Sequence, residues 1–219
     1  MHNYTIDGDI RTKITVNITI ISVIILFIFS LILNNFGVKS LPLPININNQ
    51  IILKLCFGLF KISAIFGALY AIFNNWLWKN KYIKKIHKIP DLNGVWSGEF
   101  ISSFKDDFGN KKTGTCDMKI KQTWSKISIQ CNFNLSTSYS KTATISNDSN
   151  GIQLKFEYSN KPNKTVDENL KEHSGYNTLT YDEEKEVLFG EYFTNGSRKT
   201  NGIVNVSKQI QSNNEYSDA

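Results

Sequence analysis

The sequence is poor in the residues that characterise several protein classes. Four prolines and thirteen glycines among 219 residues are too few for a collagen-like chain or a proline-rich linker. The three cysteines lie at positions 56, 116 and 131 and form no Cys-x-x-Cys pair. This argues against a zinc ribbon and against a secreted scaffold stapled by disulfides. Because 41% of the residues are hydrophobic, a wholly disordered chain is also excluded.

The second part of the chain has no excess of positive charge. Residues 1–90 carry ten Lys and Arg against two Asp (net +8), whereas residues 91–219 carry fifteen against seventeen acidic residues (net −2). A protein that neutralises many phosphates of a polymer needs a basic face. The overall charge of +6 therefore does not indicate binding of DNA or long RNA.

A first long apolar run occupies residues 14–33 and contains no charge. Twenty helical residues cover about 30 Å, the hydrocarbon thickness of a bilayer. A cleaved signal peptide is the competing interpretation, but its apolar region would span about 7–15 residues and end at a small-residue site. This run ends in Asn34-Asn35-Phe36, which favours a retained transmembrane helix.

A second apolar run occupies residues 55–78 and is interrupted only by Lys61. It ends beside Trp76 and Trp78, residues typical of a membrane interface. Arg11 and Lys13 precede the first run, and five lysines follow the second, whereas the connection holds only Lys39, with Lys54 at its edge. The positive-inside rule then predicts that both termini are cytoplasmic.

The predicted organisation is a cytoplasmic N-terminus (1–13), a first transmembrane helix (14–33), a short non-cytoplasmic loop (34–54), a second transmembrane helix (55–78), a basic connector (79–90), a cytoplasmic β-barrel (91–208) and a disordered tail (209–219).

Small residues recur along the second run. Ser63, Gly67 and Ala71 are four positions apart, a spacing that lets helix backbones approach closely. The spacing permits oligomerisation, or could simply pack the second helix against the first. Lys61 could extend its ammonium to the interface, or line a polar seam where several copies assemble.

After Pro90 the hydrophobic pattern changes to a period of two, as in Ile127, Ile129 and Cys131, which predicts half-buried strands. Strand-like runs fall near 94–102, 115–122, 125–134, 137–146, 151–159, 174–181, 186–193 and 201–207. Turn signals separate many of them, such as Asn150-Gly151. The predicted fold is two N-terminal transmembrane α-helices followed by an all-β domain, a small eight-stranded β-barrel of the lipocalin-like type, with a sandwich as the alternative. Such a barrel can hold one small ligand. The long connection over residues 160–173 is expected to be a lid or a binding loop.

Catalytic signatures are lacking: the sequence has no phosphate-binding Gly-rich loop, no nucleophile elbow and no His-Glu-x-x-His. No enzymatic activity, metal or cofactor is therefore expected. The β part does contain a set suited to a planar, anionic ligand. Aromatic faces come from Trp124, Tyr158 and Tyr192, a phosphate-binding guanidinium from Arg198, and short polar groups from Asn160, His173, Thr194 and Thr200. The alternative is that the aromatic residues fill the core and the polar groups lie outside.

Short motifs in a fixed order, behind two apolar runs, resemble one family. They are KIPDLNGVWSG (88–98), QTWSKI (122–127), LSTSYS (135–140), FEYSNKP (156–162), HSG (173–175) and GEYFT (190–194), followed by Arg198, Thr200 and Gly202. The sequence resembles the two-transmembrane, β-strand-rich effectors of bacterial CBASS anti-phage systems, the CD-NTase-associated protein 15 family.

The resemblance implies a receptor rather than an enzyme. Its barrel would bind a cyclic dinucleotide made by a CD-NTase, to which it is linked through the product rather than by contact. Binding would drive self-association in the bacterial inner membrane, disruption of the lipid bilayer and abortive infection. At matching positions, Trp124, Tyr158 and Tyr192 would stack on bases, Arg198 would hold phosphate, and Asn160, His173, Thr194 and Thr200 would make polar contacts. Asn195-Gly196-Ser197, between Thr194 and Arg198, would shift that arginine by lengthening the turn.

Two other classes of function remain open. One is a membrane-tethered, lipocalin-like carrier of a small apolar molecule, and the other is a membrane anchor that docks a partner protein through an exposed strand edge. Polar groups inside the barrel would favour the nucleotide, whereas a dry cavity would favour the carrier.

Overall fold

The computed structural model describes residues 1–35, 47–105, 108–133, 136–162, 172–195 and 199–209, without the side chains of 33–35, 47–57 and 162. The chain forms two units. One comprises Gly8–His87, and the other combines Met1–Asp7 with the chain from Lys88 onward. The predicted tail after residue 209 and most of the predicted binding loop (160–173) lie outside the described residues.

The first unit is helical. It contains α1 (Ile10–Asn35), α2 (Ile47–Asn75), a 3-10 turn (Leu77–Lys79) and α3 (Lys81–His87), and α1 contacts α2. On α1 one row of side chains at four-residue spacing is buried, Ile14, Ile18 and Ser22, while most of its other apolar side chains are exposed. The Ser22 hydroxyl donates to the Ile18 carbonyl at 2.7 Å, so this polar group is satisfied within the helix.

Within the described part of the chain, Ile10–Ile32 of α1 is the one stretch long and apolar enough to cross a membrane. The second predicted span, residues 55–78, begins where side chains are not described and therefore stays a prediction. The predicted loop (34–54) and the predicted cytoplasmic orientation of the termini also stay predictions.

The second unit is a closed barrel. Its strands are β1 (His2–Asn3), β2 (Thr5–Ile6), β3 (Gly94–Lys105), β4 (Lys111–Gln122), β5 (Lys126–Phe133), β6 (Ser136–Asp148), β7 (Gly151–Pro162), β8 (His173–Asp182), β9 (Val187–Thr194) and β10 (Asn201–Lys208). From β3 to β10 each strand pairs antiparallel with the next, and β10 pairs with β3. This closure confirms the predicted eight-stranded barrel and rules out the sandwich. The two short strands are additions to it: β1 pairs with β5, and β2 pairs with β6.

The predicted alternation is present in the strands. On β5, Ile127, Ile129 and Cys131 are buried and face inward, while Lys126 and Asn132 are exposed. The tight turn between β6 and β7 is the predicted Asn-Gly turn, and Gly151 has a φ of 91°, a left-handed conformation that favours glycine.

The barrel has two different ends. At the end where β3 begins and β4 finishes, which we call the closed end, large side chains fill the interior. Trp96 is fully buried there, donates its indole N–H to the Leu92 carbonyl at 3.0 Å and meets the ring of Tyr181 edge to face at 5.9 Å. At the opposite end, which we call the open end, the interior is not filled.

Candidate functional site

A cavity of about 240 Å³ lies at the open end of the barrel. At about 30 Å³ per water molecule in the liquid, it has room for a small organic ligand rather than a single ion. Every strand from β3 to β9, and the turn before β10, contributes to its wall. The lining residues are Phe100, Ser102, Phe104, Lys112, Thr113, Cys131, Phe133, Ser136, Ser138, Tyr158, Asn160, His173, Asn177, Tyr192, Thr194 and Thr200.

Three of the lining aromatic rings lie opposite a glycine on the neighbouring strand. The paired positions are Phe100–Gly114, Tyr158–Gly175 and Tyr192–Gly202. A Cβ atom added at any of these glycines would collide with the facing ring; at Gly114 it would come within 2.8 Å of Phe100. Each ring therefore occupies the space that a side chain would otherwise take along the wall. This arrangement leaves the middle of the open end empty and makes aromatic surface available to a ligand.

Tyr158 is the most enclosed of these rings. It is 5% exposed, and its hydroxyl donates to the backbone carbonyl of Phe193 at 3.5 Å. The ring of Phe156 lies deeper on the same strand, with its centroid 6.5 Å away. Tyr158 is thus held against the wall from two sides, a position suited to a fixed stacking platform.

Asn160 organises two serine hydroxyls on β6. Its amide nitrogen donates to Ser136 Oγ at 3.1 Å and to Ser138 Oγ at 2.9 Å, and all three residues are buried. Because each serine oxygen accepts a bond, its own hydrogen stays available to donate. Asn160 therefore orients two hydroxyl donors at the cavity wall.

Thr194 and Thr200 clasp the turn between β9 and β10. The Thr194 hydroxyl accepts from the Thr200 N–H at 2.9 Å and lies 3.0 Å from the Thr200 carbonyl and 2.9 Å from the Thr200 hydroxyl. These bonds occupy much of the capacity of both hydroxyls. Both threonines line the cavity, and their bonds join the end of β9 to the residue that precedes β10.

The cavity is cationic. Among its described lining residues Lys112 is the one side chain with a full charge at neutral pH, and none is a carboxylate. His173, whose neighbour across the β7–β8 pair is Asn160, adds a group that can gain a positive charge. Such a lining favours an anionic ligand.

The buried thiol of Cys131, which lines the cavity, stays uncharged. The hydrogen bond between Cys131 and Cys116, together with burial, raises the pKa of the Cys131 thiol well above its usual range. At neutral pH the wall near Cys131 therefore adds no negative charge that would oppose an anion.

Most of the residues predicted for the site come together in this cavity. Those that line it are Tyr158, Asn160, His173, Tyr192, Thr194 and Thr200. Arg198 lies outside the described residues. Trp124 does not line the cavity: it follows the last residue of β4, at the closed end, and is 1% exposed. The geometry therefore gives Trp124 a place in the packed core and does not support its predicted stacking role.

Sequence reasoning missed Lys112 and the three glycines. Inward positions on β4 alternate through Cys116, Met118 and Ile120, and extending this alternation backward reaches Gly114 and Lys112. The alternation along β4 therefore predicts that Lys112 lies on the inward face of the strand. Which glycine faces which ring could not be predicted, because the pairing register depends on strands far apart in the chain.

The residues predicted for membrane assembly lie on α2. Lys61, Ser63, Gly67 and Ala71 are all exposed in the isolated chain. No described atom lies within 4 Å of a Cβ built at Gly67, apart from its own helical surroundings. In the described structure, this row is therefore not the surface on which α1 packs.

A closed eight-stranded barrel with a cationic, aromatic cavity at one end defines the class of the protein: a binding domain for a small ligand. The model of the family described as Cap15, cyclic dinucleotide receptor domain, matches residues 87–208. A relative from Yersinia aleksiciae, CD-NTase-associated protein 15, is 34% identical over 153 residues, which cover 69% of this chain and 71% of that protein. The chain belongs to the Cap15 family of CBASS effectors, as the motifs predicted.

Proposed function

We propose that this protein senses a cyclic dinucleotide in the cavity at the open end of its barrel and acts as a CBASS effector. The observation that carries the proposal is the cavity itself. It combines ring surfaces held against the wall with a lysine and no carboxylate in its described lining, inside the region that matches a cyclic dinucleotide receptor domain. A cyclic dinucleotide has planar bases that stack on rings and phosphates that need cations.

Each group in the cavity has a proposed role. Tyr158 and Tyr192 stack on the bases, with Phe100 as a third ring surface. Lys112 neutralises a phosphate. Arg198, proposed from the chemistry of its guanidinium alone, supplies a second cation. The hydroxyls of Ser136 and Ser138, oriented by Asn160, donate to acceptor atoms of the ligand.

The carrier hypothesis fits the cavity less well. An apolar ligand would leave the buried side chains of Ser136, Ser138 and Asn177 without a partner on the ligand side, at a cost for each buried polar group. The lining is thus polar and aromatic together, the combination expected for a nucleotide rather than for a lipid or a steroid.

The binding test is calorimetric titration of the full-length protein in detergent against a panel of cyclic di- and trinucleotides. We expect one member to bind tightly, and Tyr192→Ala to weaken it by about 1–3 kcal/mol, the usual value of a base stacked on an aromatic ring. Tyr176→Ala is the matched control, because Tyr176 is 43% exposed on the outer face of β8. If no member binds to protein shown to be folded, the proposal fails.

A second pair of variants tests the charge. Lys112→Ala should lower affinity and reduce its dependence on salt, because an ionic contact to phosphate is screened by added ions. Lys119→Ala removes a lysine from the same strand that points outward, and should leave binding unchanged. Equal losses in both variants would show that only the general charge of the barrel matters.

We propose further that ligand binding promotes self-association through α2 and disrupts the membrane. The support is the row of small, exposed residues at Ser63, Gly67 and Ala71, a surface on which helix backbones can meet. Lys61 ammoniums brought together in lipid would be costly without water or partners, which gives a route from assembly to leakage. Lys61→Leu should then keep nucleotide binding and reduce toxicity to the cell.

Assembly itself can be tested on the two glycines of α2. Gly67→Leu should preserve binding but abolish ligand-dependent oligomers, measured by mass photometry in nanodiscs. Gly58→Leu is the control: it has equally open surroundings, and at about 100° per residue it lies on the opposite side of the helix. Oligomers that persist in Gly67→Leu would remove this surface from the mechanism.

A further inference from the structure

One seam of the barrel is much shorter than the others. Strands β5 and β6 pair only from Gln130↔Tyr139 to Phe133↔Ser136, whereas β6 and β7 pair from Ser136↔Pro162 to Asp148↔Gly151. The register of β6 is irregular between Ser140 and Thr142, where it parts from β5. Beyond this point the two strands have no pairing with each other in the described structure, and the barrel wall needs another partner there.

The first residues of the chain fill that gap. His2 and Asn3 pair antiparallel with Ile127 and Lys126 of β5, and Thr5 and Ile6 pair parallel with Thr144 and Ile145 of β6. The side chains of Tyr4 and Ile6 are 4% and 7% exposed, so this segment is buried as a wall strand would be. We call residues 2–6 the N-terminal strap.

Polar contacts fix the strap at His2 and at Tyr4. Where β5 and β6 part, Ser140 Oγ accepts from the Ile129 N–H at 2.9 Å and lies 2.8 Å from Nε2 of His2. Toward the closed end, the hydroxyl of Tyr4 accepts from Gln122 Nε2 at 3.2 Å. Gln122 also donates to the Pro90 carbonyl and accepts from the Leu92 N–H. The strap and the chain entering β3 are thus tied to one buried glutamine.

We propose that the N-terminal strap holds the β5–β6 seam closed and thereby keeps the cavity wall in its binding form. The short paired stretch of the seam is itself part of the cavity lining, through Cys131, Phe133, Ser136 and Ser138. Residues 7–9 alone separate the strap from α1. Ligand occupancy and the chain leading into the first helix therefore act on the same seam. The matched family region, residues 87–208, does not include the strap.

The structural part of this inference needs no ligand. In full-length protein in detergent, hydrogen exchange is measured for Ile6→Asp and for the control Thr5→Asp, whose side chain is exposed on the same strand. We expect Ile6→Asp to speed exchange about tenfold or more in residues 126–129 and 142–146, and to leave β8 and β9 unchanged, as local opening of one unit does. Thr5→Asp should behave as the wild type.

A milder variant covers the case in which a buried aspartate unfolds the whole barrel. Ile6→Ala should show the same pattern with a smaller increase. If exchange rises equally in the seam and in β8–β9, or stays at the wild-type rate in the seam, the strap does not hold this seam and the inference is overturned.

The coupling to the cavity rests on the proposed function and is tested with the nucleotide that the wild type binds. We expect Ile6→Ala to weaken binding about fivefold, because part of the binding energy must then close the seam. Unchanged affinity, with the seam shown to be open by exchange, would overturn the coupling and keep the structural role. If the wild type binds no cyclic nucleotide, the proposed function fails, while the exchange experiment still decides on the strap.

Discussion

The two ends of the barrel are built from the same strands and differ in what faces each aromatic ring. At the closed end, Trp96 packs against Tyr181 and the chain at Leu92, so rings and aliphatic side chains interdigitate into a core. At the open end, Tyr158 and Tyr192 face glycines. The comparison teaches that a ring opposite a glycine can lie flat along the barrel wall and leave the interior open, whereas a ring opposite a large side chain packs into the core.

The largest effect should come from emptying the closed end. Trp124→Ala removes a fully buried indole, and we expect the free energy of unfolding to fall by about 3–5 kcal/mol, as for other large-to-small changes of this kind. Thermal denaturation of the full-length protein measures it. Nucleotide affinity at a temperature where the variant is folded should be unchanged. A selective loss of affinity would instead return Trp124 to the binding site and break the distinction between the two ends.

The next effect should come from filling the open end. In Gly114→Ala the new methyl group meets the outer edge of the Phe100 ring and not the backbone, so the ring must tilt toward the cavity. We expect a loss of affinity of about tenfold and a cost in stability below the 1–3 kcal/mol of a strongly overpacked site. Titration and thermal denaturation measure the two.

The control repeats this change in a Phe100→Leu background. Phe100→Leu alone should weaken binding because it removes a ring surface, but leucine leaves room for the new methyl group, so adding Gly114→Ala there should cost little further affinity. If Gly114→Ala binds as well as the wild type, the glycines do not keep the cavity open.

Much of the barrel follows from the sequence because its physical signals are local. The period of two in Ile127–Phe133 and the Asn-Gly turn at Gly151 depend on neighbours along the chain, and both predicted what is observed. The candidate site was predicted less fully. Tyr192 was recognised by its chemistry, but its glycine partner, Gly202, depends on the register of two strands and could not be seen.

Trp124 marks another limit of the sequence. Its indole in a polar turn motif suggests a ligand contact, but residue chemistry does not say at which end of a barrel a turn lies. The end is set by strand direction, and Trp124 follows the finish of β4, whereas the cavity lies at its start. The short strap was not predicted either, since two-residue strands leave no periodic pattern.

A smaller effect should come from opening the threonine clasp. Thr194→Val keeps the shape of the side chain but removes the hydroxyl that joins Thr200, at a cost of about 1 kcal/mol for a hydrogen bond of this type. Nucleotide affinity should fall a few-fold because Thr194 and Thr200, which both line the cavity, lose the hydrogen bond that joins them. Thr180→Val, a change on β8 outside the cavity lining, serves as the control. Identical affinities for the two variants would show that the clasp does not serve binding.

The smallest effect at neutral pH concerns the closed end again. Burial, with the nearby carboxylates of Glu183 and Glu186, raises the pKa of Tyr181 to about 12 from an ordinary value near 10. The folded state therefore holds this proton more tightly than the unfolded state. The contribution of protonated Tyr181 to the stability of the fold is complete below about pH 10 and is lost as the pH rises from about 10 to 12. Tyr181→Phe should flatten the decline of the melting temperature over this window, and an unaltered alkaline profile would contradict the assignment.

The strap also determines the order in which the barrel can fold. His2 and its contact Ser140 are 138 residues apart in the chain, so a ribosome delivers one long before the other. Contacts of such long range form late, since the intervening chain must first be brought together. The residues of the strap are thus synthesised long before their partners on β6. Closure of the β5–β6 seam by the strap waits until the strand that carries Thr144 and Ile145 has been made.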